Sequence, residues 1–322
     1  MKRVFLMIRV TLVVLIALQS INICTAQSIE EMVPFGDMER WLTREVEESS
    51  IIGGETKTLY EIAPTQTISG RDPYYNMGGS PWASSNVMAR VAGITKTNCS
   101  VYPADGHDGK AVHLKTQIEK VKVIGIINIS VLAAGSVYLG SMIEPIKGTA
   151  NPQAMLNSGI PFTKRPEAVR YDYKVKLSGD PYRLRITGFS PQKQVQGVDM
   201  PTMVMLLQKR WEDADGTLHA SRVGTAIVNY TQDSEWVEDA TYPIIYGDAT
   251  TSPDFIPSMM VGYEQRYALN SRGENVPLME ESWADGDETP THVILQFASS
   301  HGGAYIGSPG NQMWVDNVRF VY

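Results

Sequence analysis

The chain has 322 residues, 43% of them hydrophobic, with 28 basic against 35 acidic side chains and a net charge of −7. That length supplies the core of one large sandwich or of two smaller domains. The acidic balance argues against a polyanion such as nucleic acid as partner.

At the N-terminus, Lys2, Arg3 and Arg9 lead into the uncharged stretch Val10 to Leu18, followed by Cys24-Thr25-Ala26 before Gln27. A charged start, a short apolar run and a small-residue cleavage site make a secretory signal over residues 1–26. The run is too short to span about 30 Å of hydrocarbon as a helix, so no transmembrane segment is expected in the mature chain. Cleavage leaves 25 basic against 35 acidic residues, a net charge of −10. The expected location is the periplasm or the outer cell surface. A lipid anchor on Cys24 is the competing reading, disfavoured because Ile23 rather than a small residue precedes it. Only Cys99 then remains, so stability must come from the core and not from a disulfide.

Along the chain, Glu39–Glu47 and Pro152–Asn157 are the short helical candidates. The uncharged stretch Val123–Gly140 is rich in β-branched residues and glycine, and fits buried strands with a turn better than a membrane helix. In Val169–Leu177 the residues Val169, Tyr171, Tyr173, Val175 and Leu177 alternate with charged ones, the period of a half-buried strand. Between Met203 and Tyr230, two apolar runs flank Glu212-Asp213-Ala214-Asp215-Gly216-Thr217, where Asp-Gly supplies the positive φ of a hairpin turn. An EF-hand reading fails there, because Val223 and Gly224 stand where the loop needs its closing Glu. Residues 262–290, acidic around a lone Trp283, are expected to form a surface insertion. Thr291–Phe297 and Trp314–Tyr322 return to period two. With no linker or repeat in view, the expectation is one all-β domain over residues 27–322, an antiparallel β-sandwich.

Several segments then carry a resemblance: Gly79-Ser80-Pro81-Trp82 leading to Asn86, Phe162-Thr163-Lys164-Arg165-Pro166, Tyr171-Asp172-Tyr173-Lys174, Trp236 with Tyr242-Pro243-Ile244-Ile245-Tyr246, Ser299-Ser300-His301-Gly302-Gly303, and Trp314-Val315-Asp316-Asn317-Val318. Together, over roughly residues 79–322, they resemble the bacterial putative carbohydrate metabolism domain (PCMD) family. That resemblance implies a jelly roll similar to galactose-binding-like modules, and an oligosaccharide or polysaccharide ligand. Some relatives carry an immunoglobulin-like domain first; here that domain is expected to be missing, with Gln27–Arg71 contributing an edge strand.

A sugar site needs flat rings to stack on the C–H faces of a pyranose and planar polar groups for its hydroxyls. Trp82, Asn86 and Arg165 have that chemistry, and Trp283 is a candidate loop platform. The structural alternatives are a core plug for Trp82, a turn cap for Asn86, a cross-loop pairing for Arg165 and a folded-back ring for Trp283. Because related jelly rolls hold a structural calcium, Asp37, Glu39 and Asp316 are its candidate ligands; backbone amides or Arg40 are the other way to satisfy Asp316. The five histidines lack zinc spacing. Ser300-His301 lacks the elbow of a serine hydrolase. The resulting expectation is non-catalytic glycan binding. Two rivals stay open: a glycan hydrolase or lyase using paired carboxylates, and an adhesive surface protein whose partner is another protein.

Overall fold

A computed structural model describes residues 28–322 except 50–53, 92, 124–126, 149 and 189. The leader over 1–26, with Cys24, lies outside the described residues. Period-two patterning becomes strand wherever it is sustained, and the principal strands in chain order are β1 (Lys110–Val123), β2 (Ser136–Met142), β3 (Ala168–Lys176), β4 (Thr202–Glu212), β5 (Leu218–Asn229), β6 (Ser234–Pro243), β7 (His292–Ala298) and β8 (Gln312–Val321). One sheet runs β1-β8-β3-β6 and the other β2-β7-β4-β5, each antiparallel. Odd and even strands alternate between sheets for most of the chain, the double Greek-key winding of a jelly roll.

The core lies between the sheets. Met203, Met205 and Leu207 of β4 and Val293, Leu295 and Phe297 of β7 meet Val169, Tyr171 and Val175 of β3 and Met313, Val315, Val318 and Phe320 of β8. The hairpin of β4 and β5 turns where Asp213 N donates to Thr217 O (3.0 Å) and Gly216 adopts φ +91°.

Four expectations change. Trp41–Glu47, read as a helical candidate, is a strand: Leu42, Arg44 and Val46 are buried while Glu45 and Glu47 are exposed, a period of two and not 3.6. It pairs with Thr56–Ile62 and Gln66–Ser69 in a separate three-stranded sheet, so the N-terminal region supplies far more than an edge strand. Buried Arg44 pairs with Glu61 of the neighbouring strand in that sheet (2.9 Å) and ties the sheet to the sandwich through Glu144 (2.7 Å), which follows β2. The acidic segment 262–290, expected as a surface insertion, carries regular pairing: Arg266–Leu269 and Asn275–Trp283 extend the second sheet, the latter parallel to β5, by burying Ala268 and Leu278 against Leu218 and Ala220. The alternation assigned to Trp314–Tyr322 breaks at Asn317 (φ 52°), where β8 slips against β3. That bulge turns Met313 and Val315 inward before it and Val318 and Phe320 after it, leaving Trp314 outside, stacked on His113 at 4.0 Å.

Candidate ligand-binding cleft

From Met203 to Leu207, β4 is apolar on both faces. Its outer residues Val204 and Leu206, with Ile227 of β5 and Ile294 of β7, cannot face water without cost, and part of that face is covered by Phe255, Ile256 and Met259. The remainder is the floor of a cleft of about 360 Å³.

The walls come from curling of the sheet. Its strand order is 156–158, β2, β7, β4, β5, 275–283, 266–269. The first and last edges meet without a ladder, joined by side chains: Asn157 Oδ1 accepts from Leu269 N (3.0 Å), and Asn275 Nδ2 donates to Ala154 O (2.6 Å) and Leu156 O (3.1 Å). Asn151 Nδ2 donates to the Tyr267 hydroxyl (2.7 Å), and Gln153 Nε2 to Glu264 Oε1 (3.1 Å). The result is a half-barrel with the cleft inside.

The run Tyr263-Glu264-Gln265-Arg266-Tyr267 lines it throughout, and Tyr305 lines it as well. Tyr263 is 60% exposed. The charged groups are held in place. Arg222, buried, pairs with Glu280 through Nη2 and through Nε (2.6 Å), and Gln208 Nε2 adds a bond to the same carboxylate (2.7 Å). Burial raises the Glu280 carboxyl, but the Arg222 hydrogen bonds and charge outweigh it and hold the group below the ordinary carboxylate range. Arg266 bridges Glu264 (2.9 Å) and Gln296 (3.1 Å). An apolar floor, phenol rings at the rim and fixed planar polar groups can hold an amphipathic ligand with hydroxyls on its edge.

At the cleft's rear, Ser300 Oγ donates to Asp199 Oδ1 (2.8 Å), while His301 Nδ1 accepts from Met200 N (3.0 Å). The serine proton is directed to a carboxylate and not to the imidazole, so the pair is not a nucleophile and its base.

The family model described as Putative carbohydrate metabolism domain matches residues 55–249. The chain belongs to that family. The floor strands β4 and β5 of this PCMD protein lie within the matched span, whereas the rim residues 263–267 and 305 follow it. No curated protein matches the chain. A solved structure described as a putative glycoside hydrolase from Bacteroides thetaiotaomicron aligns with 84% of this chain and 76% of its own, at 19% identity and a TM-score of 0.44.

None of the four sugar-contact candidates borders this cleft. Trp82 is 1% exposed, its Nε1 donating to Pro34 O (2.9 Å). Asn86, also 1% exposed, donates to Tyr60 O and Val101 O and accepts from Ser100 N and Val101 N, which uses its whole amide. Both offer a ligand no open surface. Arg165 lies over the Tyr246 ring (4.1 Å) and donates to Gly286 O (2.5 Å) and Glu288 O, anchoring the loop after the 275–283 strand. Trp283 ends that strand half-buried, with the Arg222 guanidinium 5.6 Å over its ring.

Asp316 is 2% exposed, and burial first, then the neighbouring Asp172, Glu39 and Asp37 charges, push its carboxyl up to about 7, against a smaller lowering by Asn317 N. Among the described residues, no group of three or more His, Cys, Asp or Glu side chains is arranged to hold a metal ion. The charges of Asp37 and Glu39 act on Asp316, and the three are not among the described groups of that kind. Nor is any helix among the described residues long and apolar enough to cross a membrane.

The cleft residues that sequence reasoning missed had one legible signal, the aromatic and amide-rich run 263–267. Its acidic setting masks that signal, because such a segment reads as a surface insertion.

Proposed function

We propose that the chain is an exported glycan-binding protein which holds a stretch of oligosaccharide in the half-barrel cleft and does not cleave it. Membership of a carbohydrate-related family supports the ligand class. The observation that carries the reading is the cleft itself, with its apolar floor, Tyr263, Tyr267 and Tyr305 at its rim, and its Glu280 and Glu264 both engaged by arginine. Phenol rings stack on pyranose faces, and Gln153, Gln296 and Arg266 present planar groups to hydroxyls.

Against hydrolysis stands the protonation pattern. A glycosidase needs a carboxylic acid with a raised pKa next to a second, free carboxylate. Among the described residues, the carboxyls with a net upward shift are Glu61, Glu119 and Asp316, and none borders the cleft, where the burial of Glu280 is outweighed by Arg222. The test is a glycan array probed with residues 27–322, with reducing ends measured in parallel. Binding without release is expected. Release of reducing ends would move the reading to an enzyme, and silence in both assays would move it to a protein partner.

A further inference from the structure

A second feature lies outside the cleft, at the far end of the β4–β5 hairpin. Trp211 of β4 and His219 of β5 are paired across the ladder, and their rings stack at 5.3 Å and 10°. Trp211 nevertheless remains 42% exposed, so His219 backs one face of the indole and leaves the other to solvent. Both imidazole nitrogens face carboxylates, Nδ1 with Glu281 Oε1 at 2.9 Å and Nε2 with Asp213 Oδ2 at 3.1 Å. Those contacts are both hydrogen bonds only when the ring carries two protons, and the hydrogen bond to Glu281 raises its pKa most. The imidazolium is thereby fixed in orientation, and it fixes the indole above it.

Glu281 reaches this position through an irregularity in the ladder. The strand 275–283 pairs Glu280 with Ala220 and Ser282 with Ser221, so Glu281 is the unpaired residue of a bulge. Bulges re-aim side chains. Here Glu280 goes to the cleft and Glu281 to His219. Asp213 and Glu281 are both exposed, 58% and 48%, and each contacts His219 through one carboxylate oxygen, which leaves the other to accept from a ligand.

We propose that this corner is a second glycan-contact site, separate from the cleft, in which the free face of Trp211 stacks on the C–H face of a pyranose while Asp213 and Glu281 accept its hydroxyls. Two carboxylates against one imidazolium leave a net negative charge, which selects neutral sugars over uronates or sulfated sugars. A ring already held in place binds without losing rotamer freedom, so even a small platform contributes. With the cleft occupied as well, one polysaccharide chain engaging both sites gains avidity that neither site has alone.

The test is native affinity electrophoresis of the 27–322 protein in gels containing xylan, mixed-linkage β-glucan or galactomannan, with polygalacturonate as the anionic control. Trp211→Ala, Glu281→Gln and Tyr263→Ala are run beside the native chain, each with a thermal melt. Trp211→Ala is expected to weaken retardation by about fivefold at unchanged melting temperature, with a smaller loss for Glu281→Gln. Should Trp211→Ala melt early, Glu281→Gln decides, since it keeps the ring pair and removes only the charge. Loss confined to Tyr263→Ala overturns the second site and leaves the cleft standing. Stronger retardation by polygalacturonate overturns the neutral-sugar selection, and a native chain that no gel retards overturns both sites together.

Discussion

Tyr263 stands at the mouth of the cleft with most of its ring in water, so its removal costs the fold little and the ligand much. Tyr263→Ala is expected to weaken binding of the best array glycan by about tenfold, as one lost stacking contact does, with no change in melting temperature. Arg222 and Glu280 are the opposite case. Arg222 is buried and the Glu280 side chain is only 9% exposed, and each is the main counter-charge of the other. Glu280→Ala leaves a guanidinium without its carboxylate and is expected to cost about 3–5 kcal/mol in denaturant melts, whereas Arg222→Met with Glu280→Leu recovers much of that loss. A double variant no more stable than either single one would show that the pair is not what holds the wall.

Asp316 makes a prediction whose sign follows from its raised pKa. Its carboxyl keeps a proton in the folded chain up to about pH 7, while in the unfolded chain it loses that proton near 3.8. The native state therefore binds more protons between those values, and stability from this group falls as pH rises through that window. Asp316→Asn keeps the acceptor for Asn317 N and removes the ionisation. It should leave stability unchanged at pH 4 and raise it at pH 8. Were a calcium ion bound by Asp37, Glu39 and Asp316, the same variant would instead lower the melting temperature and abolish any shift produced by EDTA.

At the scale of elements, the seam between 152–158 and 266–275 is the part of the half-barrel closed by side chains alone. Asn275→Ala removes two donors across it and is expected to cost about 1–2 kcal/mol. Amide exchange should accelerate in 156–158 and 266–269 and stay unchanged in β4. Uniform acceleration would mean that the seam opens only by global unfolding. Elements are also where the sequence was most and least legible. The β4–β5 hairpin could be read from its Asp-Gly turn and flanking apolar runs, because both signals are local. The bulge at Asn317 could not, since an Asn in a strand is compatible with regular pairing and only the partner β3 sets the slip. Trp41–Glu47 shows a third case: a charged residue, Arg44, occupies the buried face and hides the period of two, because its partners Glu61 and Glu144 lie far along the chain.

For the whole molecule, the all-β class and jelly-roll winding follow from many short amphipathic strands and from family motifs spread over the chain. The candidate cleft does not, because it exists only where two edges of one sheet, more than a hundred residues apart in sequence, curl to meet. Trp82 and Asn86 illustrate the same limit. Their chemistry suits a sugar, but position decides, and the fold encloses both. The account rests on a glycan held in the half-barrel and left intact. The most direct measurement is an array of plant, host and microbial polysaccharides, probed with the native chain and Tyr263→Ala while reducing ends are followed in the same samples. Retention of the native chain, reduced by Tyr263→Ala and without new reducing ends, is the predicted result; new reducing ends, or equal retention of both proteins, would contradict it.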